Sequence, residues 1–367
     1  MTLEELFSGR NLTKTTQGIK SGIKVMVPER FFMPTDPTVN GNIFEWIEFD
    51  GQRDMAVIVS EDSPAHRVDL QGGKHRSAKM LRTFESQNIN ANKLRNLIVP
   101  GTANVKDEKG RQFVSRQARW FKQRQVNLIQ ASHARMLFTF EIHFNEKGEM
   151  LTSSTGATTS ITVGIPAGQK GQLDILGSGA IIDASWAVSG TDILGHLDEI
   201  KKQMLELGGW EITDCYYGKN IPKYIAANDV CKEYINRTPS LAMQQIQQKK
   251  VPDGFQDLNW HDASSSYYKD AAGAIQRPLG DDEIVFTPSP EDETWWKYGK
   301  GSEMVPSGLG QVGADAEAML GDLIEQFGEF AYAVMGHNPV SIEQFTGLNW
   351  LFVITATKAV CKGDVTP

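Results

Sequence analysis

Apolar residues change their period several times along this chain, and each change marks an element. From Arg111 to about Met136 they recur at spacings of three, four and seven. Val114, Ala118, Phe121, Leu128, Ile129 and Met136 share one face of a helix, and Arg116, Arg119, Gln123, Asn127 and Gln130 share the other. A helix of roughly 25 residues runs close to 40 Å, which is long for a globular protein. A second helix is predicted over Asp192–Leu207, with Thr191 as its cap, Ile193, Leu197, Ile200, Met204 and Leu207 as its buried stripe and Gly208-Gly209 as its stop. "NIPKYIAANDVCKEYIN" reads as a third helix and "DAEAMLGDLIEQF" as a last one.

Alternating or continuous apolar runs predict strands in "NIFEWIEFDG", "MAVIVS", "TSSTGATTSITVGIP", "WEITDCYYG", "EFAYAVMG" and "WLFVITATKAV". Three more, with polar turns between them, fall in "GFQDLNWHDASSSYYKDAAGAIQRPLGDDEIVFTP". The opening 30 or so residues show no period and read as an extended arm, and the prolines of "VPERFFMPTDP" break regular structure after it. The order is that of a mixed α+β protein with long connections, and it lacks the βαβα rhythm of a doubly wound enzyme.

One stretch fits least well. "MAVIVSEDSPAHRVDLQGGKHRSAKMLRTFES", from Met55 to Ser86, reads as two strands around a glycine turn, with too few apolar residues for a core of its own. An isolated two-stranded ribbon is marginal in water. Its cover must come from elsewhere.

Composition narrows the class. With 367 residues, 40% hydrophobic and 22% charged, the chain is globular and has room for two or three domains. "MTLEELFSGRNLTK" has no apolar signal core, and the longest nearly apolar run, "LNWLFVITATKAV", is shorter than the roughly 18 to 20 residues that cross a bilayer. Neither a secretion signal nor a membrane span is expected. Cys215, Cys231 and Cys361 are too few and too scattered for a disulfide framework or a CxxC metal site, which fits a reducing cytoplasm. A formal net charge of -8 argues against wholesale coating of nucleic acid.

The search for chemistry finds little. "GLGQVG" places Gly308, Gly310 and Gly313 in a GxGxxG pattern, but the polar, proline-broken "KYGKGSEMVPS" before it does not read as the strand a dinucleotide site needs, so a Gly-rich connection is expected. "DILGSGAIID" lacks a third glycine. His66, His75, His133, His143, His196, His261 and His337 form no ligand spacing, no GxSxG elbow occurs, and the "NRTPS" sequon at Asn236 has no secretory route to use it. No catalytic residue, metal or cofactor is therefore expected. The stronger signal is Arg111, Arg116, Arg119, Lys122, Arg124 and Arg135 along the long helix, either a solvated, salt-bridged face or a stripe for phosphates or an acidic partner. A folded chain with arms, a projecting hairpin and no catalytic centre points to a structural protein.

The order "FEWIEFDG…MAVIVSEDSPAHRVDLQGGKHRSAKMLRTFESQNINANKLRNL", then the long basic helix and "FNEKGEML", resembles the lambda major capsid protein E family of tailed bacteriophages, built on the Hong Kong 97 type shell fold. "GTDILGHLDEIKKQMLELGGWEITDCYYGKNIPKYIAANDV" resembles that family's axial domain, "GDDEIVFTP" the strand after its variable hairpin, and "GLNWLFVITATKAV" the strand returning to the peripheral domain. The resemblance covers roughly Asn42 to Val360.

It implies an N-terminal arm over 1–41 and a peripheral domain over 42–154 and 305–367, containing an extended loop at about 52–88 and a spine helix at about 111–137. It implies an axial domain over 155–304. The chain would be a shell subunit assembling as hexamers and pentamers around double-stranded DNA, located in the virion and assembled in the host cytoplasm. Its partners would be itself, a separate scaffolding protein, a portal and a decoration protein. On this reading Glu61, Asp62, Arg67, Asp69, Lys74, His75, Arg76 and Lys79 are candidates for inter-subunit pairing, and Arg116, Arg119 and Arg124 for weak contact with DNA on the inner face. The alternatives are an encapsulin-like compartment enclosing protein cargo and, from another class, a nucleotide-cofactor enzyme using Gly308 to Gly313.

Overall fold

The computed structural model describes residues 3–18, 27–39, 43–48, 74–90, 92–93, 95, 107–236, 250–252, 254–270, 272–307, 310–311, 323–337 and 340–367. Two sheets and one long helix organise them. The larger sheet runs β1 (Asp36–Val39), β14 (Trp296–Pro306), β18 (Val340–Ile354), β17 (Glu329–His337), β15 (Gly310–Gln311), with β4 (Leu81–Asn90) paired to β18 and β16 (Leu323–Phe327) to β14. The smaller runs β10 (Asn259–Asp262), β9 (Asp214–Tyr217), β13 (Glu283–Thr287), β19 (Cys361–Asp364), β8 (Lys170–Gly171).

The long helix, α3, spans Asp107–Phe138, 32 residues, and so outreaches the predicted span at its N-terminal end. Its first half is amphipathic as the spacing predicts: Val114, Ala118 and Phe121 are buried, and Arg116, Arg119, Gln123 and Asn127 are exposed. From Ile129 onward it is buried nearly all round, and Gln130, expected on the polar face, is buried with it. There the helix lies across β14 and β18. His133 is fully buried among Phe32, Tyr298, Trp350 and Phe352, with ring centroids 4.5–5.8 Å away. Burial, seconded by the nearby Lys300 charge, pushes its pKa down to about 3, so the ring is neutral at ordinary pH.

The smaller sheet sits between two cores. On β9 all four residues are buried because alternate side chains enter opposite cores. Tyr216 joins the cluster under α3, while Cys215 and Tyr217 join the one under α4 (Ile193–Gly208). A strand buried on both faces reads as a nearly continuous apolar run, as Cys215–Tyr217 does, with the buried Asp214 carboxylate held by His261 and Thr213.

Several expectations are corrected. The first residues form α1 (Leu3–Leu6) and α2 (Gly9–Gly18) and not an extended arm, with Leu6, Phe7 and Leu12 buried against Val114, Ala331 and Ile342. The cap of α4 is Asp192, whose Oδ1 accepts from Gly195 N at 2.9 Å, and Leu207 is only partly buried. The third helix is two, α5 (Ile221–Ala227) and α6 (Asp229–Asn236), because Asn228 turns extended between them and its Oδ1 accepts from Cys231 N at 3.0 Å. The end of the expected last helix is strand β16, since Leu323–Phe327 pairs residue for residue with Ser302–Pro306. A long partner strand overrides local helix propensity there; residues 315–322 lie outside the described set. Across the sheets, β14 lies in the larger one, and β19 pairs with β13 in the smaller one.

Candidate inter-subunit surface

β2 (Ile43–Glu48) and β3 (Lys74–Lys79) form an antiparallel hairpin with Ile43 opposite Lys79 and Glu48 opposite Lys74. Side chains directly opposite share a face. Phe44 and Trp46 therefore share one with Ala78, Arg76 and Lys74, and Ile43 and Ile47 share the other with Lys79 and His75. Only the first face is anchored. Phe44 is 1% exposed and packs with Met80, Leu351 and Val353, its ring lying where a Cβ on Gly299 would stand, 2.3 Å away. Any larger residue at 299 would displace it. On the second face Ile43 is 58% and Ile47 46% exposed.

Of the eight loop charges named from sequence, the structure thus places Lys74 and Arg76 on the anchored face and His75 and Lys79 on the open one. His75 Nε2 lies 3.7 Å from Glu45 Oε2, a loose pair on the surface. Glu61, Asp62, Arg67 and Asp69, and the strand expected at "MAVIVS", lie outside the described residues.

The basic stripe of the long helix separates into four kinds of residue. Lys122 turns inward and pairs with buried Glu329, beside Lys300. Arg135 is 4% exposed and structural: its Nη1 donates to Tyr268 Oη at 2.7 Å and its Nη2 to Thr152 O at 3.2 Å. Arg124 is compensated, with Nε and Nη2 on Glu85 Oε1 at 2.8 and 2.6 Å, and Glu85 raises its pKa further. Arg116 and Arg119 remain exposed and make no ion pair among the described residues.

Two side chains of this surface were missed in the sequence. Phe44 was legible as the apolar residue at the alternate position of "IFEWIE". Trp120, 47% exposed with the Arg124 guanidinium 5.2 Å over its ring, interrupts the polar face and had no periodic signal. In the GxGxxG stretch, Gly310–Gln311 pair with Val334 and Met335 as strand β15, and residues 312–322 lie outside the described residues. The strand that the sequence did not show before it exists, since β14 runs through Pro306.

No protein-family model matches the chain, and no curated protein matches it. Among solved structures, a protein of E. coli CFT073 described as a candidate prophage capsid protein aligns with a TM-score of 0.54 and 13% identity over 100% of both chains. A phage-related protein of Bordetella bronchiseptica RB50 aligns with a TM-score of 0.51 and 9% identity over 98% of this chain and 97% of its own. At such identities the likeness is one of fold. That fold is the Hong Kong 97 type capsid fold, as the order of elements in the sequence implied.

Proposed function

We propose that the chain is the repeating subunit of a bacteriophage head, self-assembling as hexamers and pentamers into a shell that encloses double-stranded DNA. The observation that carries this reading is the half-anchored hairpin on a capsid fold. One face of β2–β3 is packed by Phe44, while Ile43 and Ile47 on the other have no cover within the chain's described residues. A neighbouring copy that receives this face makes a head-to-tail contact, the kind that closes into rings. Interfaces of this sort begin at roughly 1,200 Å², which a projecting arm reaches at small cost in folded volume.

The electrostatics agree. Of the three arginines named for DNA, Arg124 is paired with Glu85, and Arg116 and Arg119 make no ion pair among the described residues. Two phosphate contacts on a chain of net charge -8 give weak, salt-dependent attraction, which suits a container whose cargo must leave. A scaffolding protein, a portal and a decoration protein are the partners such a shell takes, in the virion and, before that, in the host cytoplasm.

Negative-stain microscopy of the expressed full chain, alone and with a co-expressed scaffold, tests the reading. Hexamers, pentamers or closed shells are expected. A strictly monomeric species under every assembly condition overturns it, and shells that hold protein and exclude DNA reassign the chain to an encapsulin-like compartment.

A further inference from the structure

The exposed face of α3 offers a seam to a second helix. Arg116, Trp120, Gln123 and Asn127 follow one another along it at spacings of four, three and four, which puts them on one helix face, with Trp120 as its one apolar member. Arg119 and Arg124 stand at the positions flanking that line, where interhelical ion pairs form. The seam is about 17 Å long at 1.5 Å per residue and lies opposite the buried Ala118–Phe121 face. Its centre is Trp120, which is half-exposed and backed by the Arg124 guanidinium, itself held by Glu85. The anchor is therefore held in place before any partner arrives.

We infer that this seam docks an acidic amphipathic helix of another protein, with Trp120 as its apolar anchor and Arg116 and Arg119 pairing with the partner's carboxylates. Charge complementarity identifies the occupant. Among the described residues Arg116 and Arg119 make no ion pair, on a chain that is otherwise net acidic. A tryptophan flanked by arginines is the composition of protein interface hot spots. Nucleic acid is disfavoured because two free guanidinium groups neutralise too few phosphates for firm binding. The inference stands on the helix surface and does not depend on the shell reading.

Of the eight tryptophans, Trp186, Trp260, Trp295, Trp296 and Trp350 are buried and Trp46 and Trp210 partly so, so iodide-quenchable emission reports chiefly on Trp120. The full chain, unassembled, is titrated with a 21-residue amphipathic peptide carrying glutamates beside a Leu/Ala seam, with its lysine counterpart, and with a 20-nucleotide single strand and its duplex. The glutamate peptide is expected to shield Trp120 from iodide and shift its emission to the blue. By calorimetry, Trp120→Ala should weaken that peptide about tenfold, and Arg116→Glu with Arg119→Glu should reverse the preference toward the lysine peptide. The variants alter exposed positions, and unchanged circular dichroism confirms that they fold. The inference is overturned if no peptide shields Trp120, if Trp120→Ala binds the glutamate peptide equally well, if either DNA shields Trp120 more strongly, or if raising the protein concentration alone shields it.

Discussion

The hairpin β2–β3 and the N-terminal helix α2 are both largely polar segments, and they do opposite things. α2 lies along the edge of β17 and satisfies its backbone with side chains. Thr13 Oγ1 donates to Ala331 O at 2.9 Å and accepts from Ala331 N at 3.0 Å, and Gln17 Nε2 donates to Glu329 O at 2.9 Å. An exposed strand edge invites pairing with another chain, and α2 closes this one. The hairpin closes nothing: it is held by Phe44 on one face and offers Ile43 and Ile47 on the other. A polar stretch with little grease can therefore be a cover whose partner lies within the chain, or a contact whose partner lies outside it. Hydrogen-bond matching to a strand edge tells the two apart.

The sharpest way to break that contrast is to remove residues 49–73 and keep the paired strands β2 and β3. Glu48 and Lys74 are paired in register, so replacing residues 49–73 by Asn-Gly closes a two-residue turn between them. The expected outcome is a chain with native-like unfolding and a complete loss of shells by microscopy. Intact shells from this variant would sink the assignment of the hairpin as an inter-subunit element. Next in size is Phe44→Ala, which empties a packed site at the hairpin base and should cost about 3–5 kcal/mol. Hydrogen exchange separates local from global loss. The amides of β2 and β3 should exchange faster while those of β18 keep their protection, and unchanged hairpin exchange would show that Phe44 is not the anchor.

The same contrast explains what could be read from the sequence. Periodicity located α3, α4 and the apolar strands because each buries a regular face within the chain. It could not show that α2 is a helix, because "GRNLTKTTQG" is stabilised by Thr13 and Gln17 reaching residues more than 300 positions away. Nor could it show β16, whose conformation is set by the partner strand Ser302–Pro306. The charges of the basic helix were legible as a group, but their division was not: Glu85, Glu329 and Tyr268, which take Arg124, Lys122 and Arg135 out of the stripe, come from three distant segments. The hairpin's polarity was legible because its Ile43 and Ile47 face has no cover among the described residues.

The smallest effect tests the other side of the comparison. Thr13 and Thr15 occupy the same helix two residues apart, and a threonine-to-valine change keeps their shape. Thr15 Oγ1 donates only to Asn11 O, one turn back in its own helix, at 2.8 Å, at a half-buried position. Thr13 is 2% exposed, and its hydroxyl serves both backbone groups of Ala331. Thr13→Val should cost about 1–3 kcal/mol, because a buried N–H and C=O lose their partner at once, whereas Thr15→Val should be near neutral. Denaturant unfolding of the two variants measures the difference. Equal stabilities would mean that water satisfies the β17 edge as well as Thr13 does, and that α2 covers this edge without sealing it.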